Sequence, residues 1–238
     1  DERGPAAVPE AVAKRIEDAI LQEEPGWLVC DKPAGIAVHA GSGLSWGLID
    51  ALRQCRPDED LELVHRLDRE TSGLLLVARN RETLRHLQAQ FAARETAKRY
   101  LALLDGILPE PHMVVEEPLG RQQVSGERMM VVDAGGKPAE TVFREVERFH
   151  GCVLVEAEPV TGRTHQIRVH AAHLGAPCAG DPKYSQRERR RAWRERGLER
   201  LFLHAHRLEF TDADGEHWIL SSPLPAELRA VLDGLEQG

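Results

Sequence analysis

Two short segments concentrate the residue types that nucleophilic and acid–base chemistry need. His65-Arg66-Leu67-Asp68-Arg69-Glu70-Thr71-Ser72-Gly73 sets two arginines, two carboxylates, two hydroxyls and a glycine between apolar stretches. Thr161-Gly162-Arg163-Thr164-His165-Gln166-Ile167-Arg168 again gathers arginine, histidine and hydroxyls ahead of an apolar run. A carboxylate set among arginines is held ionised by their charge. Such a group can act as a nucleophile or stabilise developing positive charge. The competing reading of the first segment is a polar turn in which Asp68, Thr71 and Ser72 cap a helix. His165, His170 and His173 raise metal ligation, but the many basic and few acidic neighbours disfavour a dication. Solvated, core or phosphate-facing histidines are the expected state, and no metal is expected. Cofactor motifs are also missing. Gly41 to Gly47 is one residue too long for GxGxxG, and neither GxxxxGK[ST] nor GxSxG occurs.

The elements that must position these segments can be read from hydrophobic periodicity. Residues 9–22 have the spacing of a short helix after a loose leader at 1–8. Strands are expected at Trp27–Cys30, Leu61–Val64, Leu74–Ala78 and Tyr100–Leu104, with helices at Leu48–Cys55 and Arg81–Ala92. Lys32-Pro33-Ala34-Gly35 reads as a turn and Gly41-Ser42-Gly43 as a flexible loop. The middle is β-rich, with strands near Met113–Glu116, Met129–Val132, Thr141–Phe149 and Cys152–Glu158. Gln166–His173 reads as a helix closed by Gly175, and 186–200 as either a basic helix or a mobile loop. Strands near Phe202–Phe210 and His217–Leu220 and a helix at Pro225–Leu235 complete the chain. Strands and helices mix without βαβ regularity. The expected class is therefore α+β, a mainly antiparallel mixed central sheet flanked by helices and loops.

Composition narrows the function classes. The chain has 238 residues, 42% of them hydrophobic, enough for a substantial core. No apolar run approaches the ~20 residues of a membrane-spanning helix. Four cysteines without a CxxC pair suggest reduced thiols. With no signal peptide in the acidic first 25 residues, a cytoplasmic location is expected. The net charge is −8, yet residues 161–207 carry 11 basic against 4 acidic side chains, and 61–100 carry 8 against 5. Of 31 basic residues, 26 are arginine, the side chain suited to forked phosphate contacts and base stacking. The two basic blocks are a candidate polyanion surface, or else solvated helix faces laced by ion pairs.

His65-Arg66-Leu67-Asp68-x-x-Thr71-Ser72-Gly73 resembles the catalytic motif of the RluA-type RNA pseudouridine synthases. The resemblance extends in family order over residues 31–210. It includes Asp31-Lys32-Pro33-Ala34-Gly35 with Val38-His39, Lys98-Arg99-Tyr100, Gly162-Arg163-Thr164-His165-Gln166-Ile167-Arg168-Val169-His170, Gly180-Asp181 with Tyr184, and Leu203-His204-Ala205. The Gly-rich stretch His39–Gly47, Ser125–Arg128 and Gly136–Thr141 resemble the RluC type, which modifies large-subunit ribosomal RNA. Ala176, in place of a frequent His, and Thr211-Asp212, in place of His-Pro, depart from the pattern.

The resemblance implies isomerisation of uridine to pseudouridine in RNA, with the base flipped out of its stack. It implies no cofactor. Asp68 would be the catalytic carboxylate, attacking C1′ or removing the C2′ proton. Arg168 would pair with Asp68, and Tyr100 would stack on the uracil and help take the C5 proton. RNA contacts would fall to Arg66, His65, Lys98, Arg163, His165, Gln166, Arg187, Arg190 and Arg191. Residues 1–22 are expected as a leader or linker helix left after an S4 domain, 23–238 as the catalytic domain, and the protein as a monomer. The alternatives are the same chemistry on transfer RNA, a non-catalytic RNA-binding or ribosome assembly factor on this fold, and a hydrolase that releases uracil.

Overall fold

The computed structural model describes residues 7–41 and 43–236. Ser42, at the centre of the expected glycine loop, and the first six leader residues lie outside them. The chain divides into two compact units, residues 1–97 with 207–222 and residues 98–206 with 223–238.

The first unit runs α1 (Glu10–Asp18), β1 (Ile20–Glu23), β2 (Trp27–Lys32), α2 (Leu48–Cys55), β3 (Glu62–Leu63), β4 (Ser72–Ala78) and α3 (Arg81–Ala92). β1, β2 and β4 pair antiparallel in that order, and β3 pairs with the end of β4. Every residue of β4 is buried, as its unbroken apolar run requires. α3 starts where the Asn80 side chain accepts the Thr83 N–H at 2.8 Å, satisfying one of the orphan donors of a helix start. The segment expected as a leader is built into this unit. Ala13 and Ile16 of α1 are buried, and Val8 exchanges two backbone hydrogen bonds with the Gln54 amide. The helix ends at Asp18 rather than 22, because Ile20–Glu23 pair with β2. The boundary expected between residues 22 and 23 therefore falls inside β1. No helix follows Asp68: Ser72 opens β4, so the helix-cap reading of Asp68, Thr71 and Ser72 is corrected to a turn entering a strand.

The second unit continues with β5 (Ala97–Leu104), β6 (His112–Val115), β7 (Leu119–Val124), β8 (Glu127–Val132), β9 (Thr141–Phe149), β10 (Cys152–Pro159), α4 (Gln166–His173) and α5 (Arg187–Glu195). β11 (Leu203–Thr211) follows, then β12 (His217–Ser221) and α6 (Ala226–Asp233). β5, β10, β9 and β6 lie side by side, all antiparallel, and β7–β8 form a separate hairpin. The core of this unit gathers Leu103, Phe149, Leu154, Trp193, Phe202 and Leu228. Trp193 explains why 187–195 is a helix rather than a loose loop: its buried indole pins an otherwise polar segment. Arg207–Thr211 and β12 form a hairpin in the first unit, where Trp27 meets Phe210 and Trp218 edge-on at 5.0 and 4.9 Å. Antiparallel pairing with flanking helices is the α+β architecture expected.

Candidate active site

Asp68 sits in the first unit, on the turn that enters β4. The Thr71 N–H donates to the Asp68 carbonyl at 3.0 Å, closing the turn. Leu67, Thr71 and Ser72 are buried around it, while Arg66 and Arg69 are exposed. A second turn grips this one. Lys32, only 1% exposed, donates its ammonium protons to the carbonyls of Pro33 (2.9 Å), Ile36 (2.7 Å) and Arg69 (3.1 Å). The Gly35 N–H donates to the Arg69 carbonyl at 2.8 Å, and the Arg69 Nε–H donates back to the Gly35 carbonyl at 3.1 Å. A buried ammonium is costly unless its donors are satisfied, and here it cross-links the Lys32–Gly35 turn to the Asp68 turn. His65 orders the same region. Its ring stacks on Phe91 at 5.1 Å, and its Nε2 accepts the Leu76 N–H at 2.9 Å. That packing uses one ring face and Nε2 inside the fold.

Tyr100 and Arg168 belong to the second unit. Tyr100 lies on β5 opposite Ala157 of β10 and is 8% exposed. Arg168 projects from α4 and is 2% exposed. Asp181, fully buried, forks it: Arg168 Nε–H donates to Oδ2 at 2.8 Å and Nη2–H to Oδ1 at 2.7 Å. Oδ1 also accepts the N–H groups of Lys183 and Tyr184 at 2.8 and 3.1 Å. The preceding residue must be glycine, since Gly180 has φ +75° and a Cβ there would strike the Arg200 carbonyl. The Arg168 guanidinium lies 5.2 Å from the centre of the Tyr184 ring, a cation–π distance.

α4 is held by an ordered hydrogen-bond chain. Gln166 Oε1 accepts the Arg163 N–H at 3.1 Å and the Thr161 hydroxyl at 2.6 Å, which fixes its amide orientation. Its Nε2 donates to the Glu140 carbonyl at 2.8 Å and Thr141 Oγ1 at 2.9 Å. Thr141 Oγ1 lies 2.7 Å from His170 Nδ1, and His170 Nε2 lies 2.8 Å from the Glu117 carbonyl. A carbonyl can only accept, so Nε2 carries the proton and Thr141 donates to Nδ1. Burial pushes the His170 pKa down, keeping the ring neutral. Gln166 is 3% exposed, and its amide hydrogen-bonds within the fold.

The remaining expected RNA contacts divide. Lys98 brings its Nζ to 4.0 Å from where a Cβ on Gly162 would stand, and burial lowers its pKa. Arg163 donates to the Pro138 carbonyl at 2.8 Å. His165 adopts φ 55° at the start of α4, with Nδ1 2.7 Å from the Tyr184 hydroxyl. Arg187 and Arg191 are exposed on α5, whereas Arg190 is half-buried and donates to the Pro182 carbonyl at 3.0 Å. Among the described residues no group of three or more His, Cys, Asp or Glu side chains could hold a metal ion. Lys32, Asp181 and Tyr184 were not assigned roles from sequence. Their signal was membership of the same motifs, but their work depends on burial, which residue type alone does not show.

Comparison with known proteins places this arrangement. Residues 26–173 match the family model described as RNA pseudouridylate synthase. The ribosomal large subunit pseudouridine synthase C of Yersinia pestis is 48% identical over 225 residues, covering 93% of this chain and 70% of the relative. The protein of the same name from Pasteurella multocida is 47% identical over 226 residues, covering 94% and 69%. The structure of human RNA pseudouridylate synthase domain containing 4 aligns with a TM-score of 0.78 at 27% identity, covering 96% of this chain and 97% of that one.

Proposed function

The chain belongs to the RNA pseudouridylate synthase family, and on that premise we propose that it converts uridine to pseudouridine in large-subunit ribosomal RNA. The observation that carries the substrate is the 44–48% identity, over most of the chain, to synthases named for the ribosomal large subunit. The N1–C1′ bond breaks, the uracil turns over, and C5 bonds to C1′. C5 gives up its proton and N1 gains one, so the reaction is an isomerisation without redox or phosphoryl transfer.

Asp68 supplies the carboxylate that acts at the ribose, where cleavage of the glycosidic bond develops oxocarbenium character. Uracil leaves as a delocalised anion, so no second carboxylic acid is needed. Tyr100 supplies the ring for the flipped base and Arg168 the guanidinium. Arg66, exposed beside Asp68, contacts RNA, as do Lys98, Arg163, His165 and the exposed arginines of α5. These phosphate contacts hold the RNA without choosing the uridine. The protein acts as a monomer in the cytoplasm, where its ribosomal RNA substrate would be met.

Tritium release from C5-labelled large-subunit RNA tests the reaction and Asp68 together. The wild-type chain should release tritium without free uracil. Asp68→Asn should lower the rate by about 10²-fold or more, the scale of losing a positioned carboxylate. Free uracil would indicate a hydrolase, and release by both proteins would remove Asp68 from the chemistry.

A further inference from the structure

We propose that Tyr184 is a positioning residue for the reaction, holding the face of the Arg168 guanidinium whose edge Asp181 holds. The inference rests on the role given to Arg168 above. Arg168 has a long side chain whose planar head is useful only in the right plane. The Asp181 fork fixes Nε and Nη2 along one edge of that head. The Tyr184 ring centre, 5.2 Å from the guanidinium carbon, adds an aromatic contact to that fork.

Tyr184 is itself built in from three directions. Its backbone N–H is held by Asp181 Oδ1 at 3.1 Å, so one carboxylate orders both the arginine and the residue that covers it. Its hydroxyl accepts the Met130 N–H of β8 at 3.3 Å and lies 2.7 Å from His165 Nδ1. Its ring packs on the cluster of Leu119, Ala139 and Val169, with Met130 and Val132. Val169 follows Arg168 on α4, so the same helix turn that carries the arginine also seats its cover. A tyrosine needed only to fill this cluster would not require the turn that Asp181 organises, which seats its ring beside the guanidinium.

The test compares Tyr184→Met, which keeps much of the volume but has no aromatic face, with Tyr184→Phe. Misplacement of a catalytic group by about 1 Å can cost 10²-fold. Tyr184→Met should lower kcat tenfold or more with KM within about twofold, and Tyr184→Phe should rescue most of that loss. Exchange of the Arg168 Nε–H with solvent, followed by NMR on the folded proteins without RNA, should quicken in Tyr184→Met and recover in Tyr184→Phe. A rise in KM with kcat unchanged would make Tyr184 an RNA contact and overturn the inference. Unchanged kcat and unchanged exchange in Tyr184→Met would also overturn it, as would equal losses of kcat in the two variants. If wild-type protein converts no uridine, the proposed reaction fails by that result. The exchange measurement then still decides whether Tyr184 restrains Arg168.

Discussion

Lys32 shows how much a single buried side chain can organise. Its three carbonyl partners lie in two turns, and one of those turns carries Asp68. Arg69 O keeps the Gly35 N–H if Lys32 is lost, but Pro33 O and Ile36 O lose the ammonium as donor. Each buried polar group left unsatisfied costs about 1–3 kcal/mol. Lys32→Met should therefore destabilise the protein by about 2 kcal/mol or more, read as a lower urea midpoint, and should slow pseudouridine formation. His170 gives a prediction of opposite chemistry. Its folded pKa lies below the ordinary 6.5 because burial penalises the charged ring. As pH falls through 6.5 the unfolded chain binds the proton first, so stability is lost from there down to the folded pKa. Urea midpoints measured between pH 7.5 and 5 should fall in the wild type. His170→Gln should flatten that fall, and equal slopes in both proteins would dismiss His170 as the source.

Among the elements, α5 carries the sharpest prediction. Trp193 is buried and Arg189 forks the buried Asp105, with Nε–H donating to Oδ2 at 2.7 Å, so the helix is fixed from one side. Arg187, Arg191 and Arg194 are left exposed at i, i+4 and i+7. Each phosphate contact contributes about 0.7–0.9 to the slope of log K against log salt. Replacing all three with Gln should reduce that slope by about 2–3 in a filter-binding titration. An unchanged slope would return α5 to a solvated face, for which the loose Arg191–Glu195 pair at 3.7 Å is the model.

The same elements show what the sequence made readable. α2, α3, β9 and α4 have the bounds expected from the sequence; α2 and α3 carry an apolar stripe, whereas α4 is buried over six consecutive residues, Gln166–Ala171. β7 was missed because Leu119-Gly120-Arg121-Gln122-Gln123-Val124 buries only Leu119, so its pairing with β8 leaves almost no pattern. β1 was absorbed into the preceding helix for a similar reason, since its residues alternate between half-buried and exposed. In the candidate site, Asp68, Tyr100 and Arg168 stand out through motif resemblance. The internal hydrogen bonds of Gln166 and His65 are not readable from residue type, which does not reveal which polar groups are used inside the fold.

For the whole molecule, the net charge of −8 and the basic blocks make opposite predictions about salt. If the global charge governed RNA binding, added salt would screen repulsion and tighten it. If the arginine-rich blocks govern, salt competes with their phosphate contacts and weakens binding. RNA binding should weaken between 50 and 200 mM KCl, and tighter binding over that range would show that the global charge governs instead.

Trp27 and its aromatic partners also set a schedule. Phe210 and Trp218, which meet Trp27 edge-on, are encoded long after it, beyond the whole of β3 to β10. At a synthesis rate of about 5–20 residues per second, Trp27 waits roughly 10–40 s for Phe210 to be made. During that interval the second unit's strands β5 to β10 have already been synthesised. The first unit thus cannot complete its core until Arg207–Ser221 has been made, leaving an indole and the apolar strands around it in need of shelter on the ribosome.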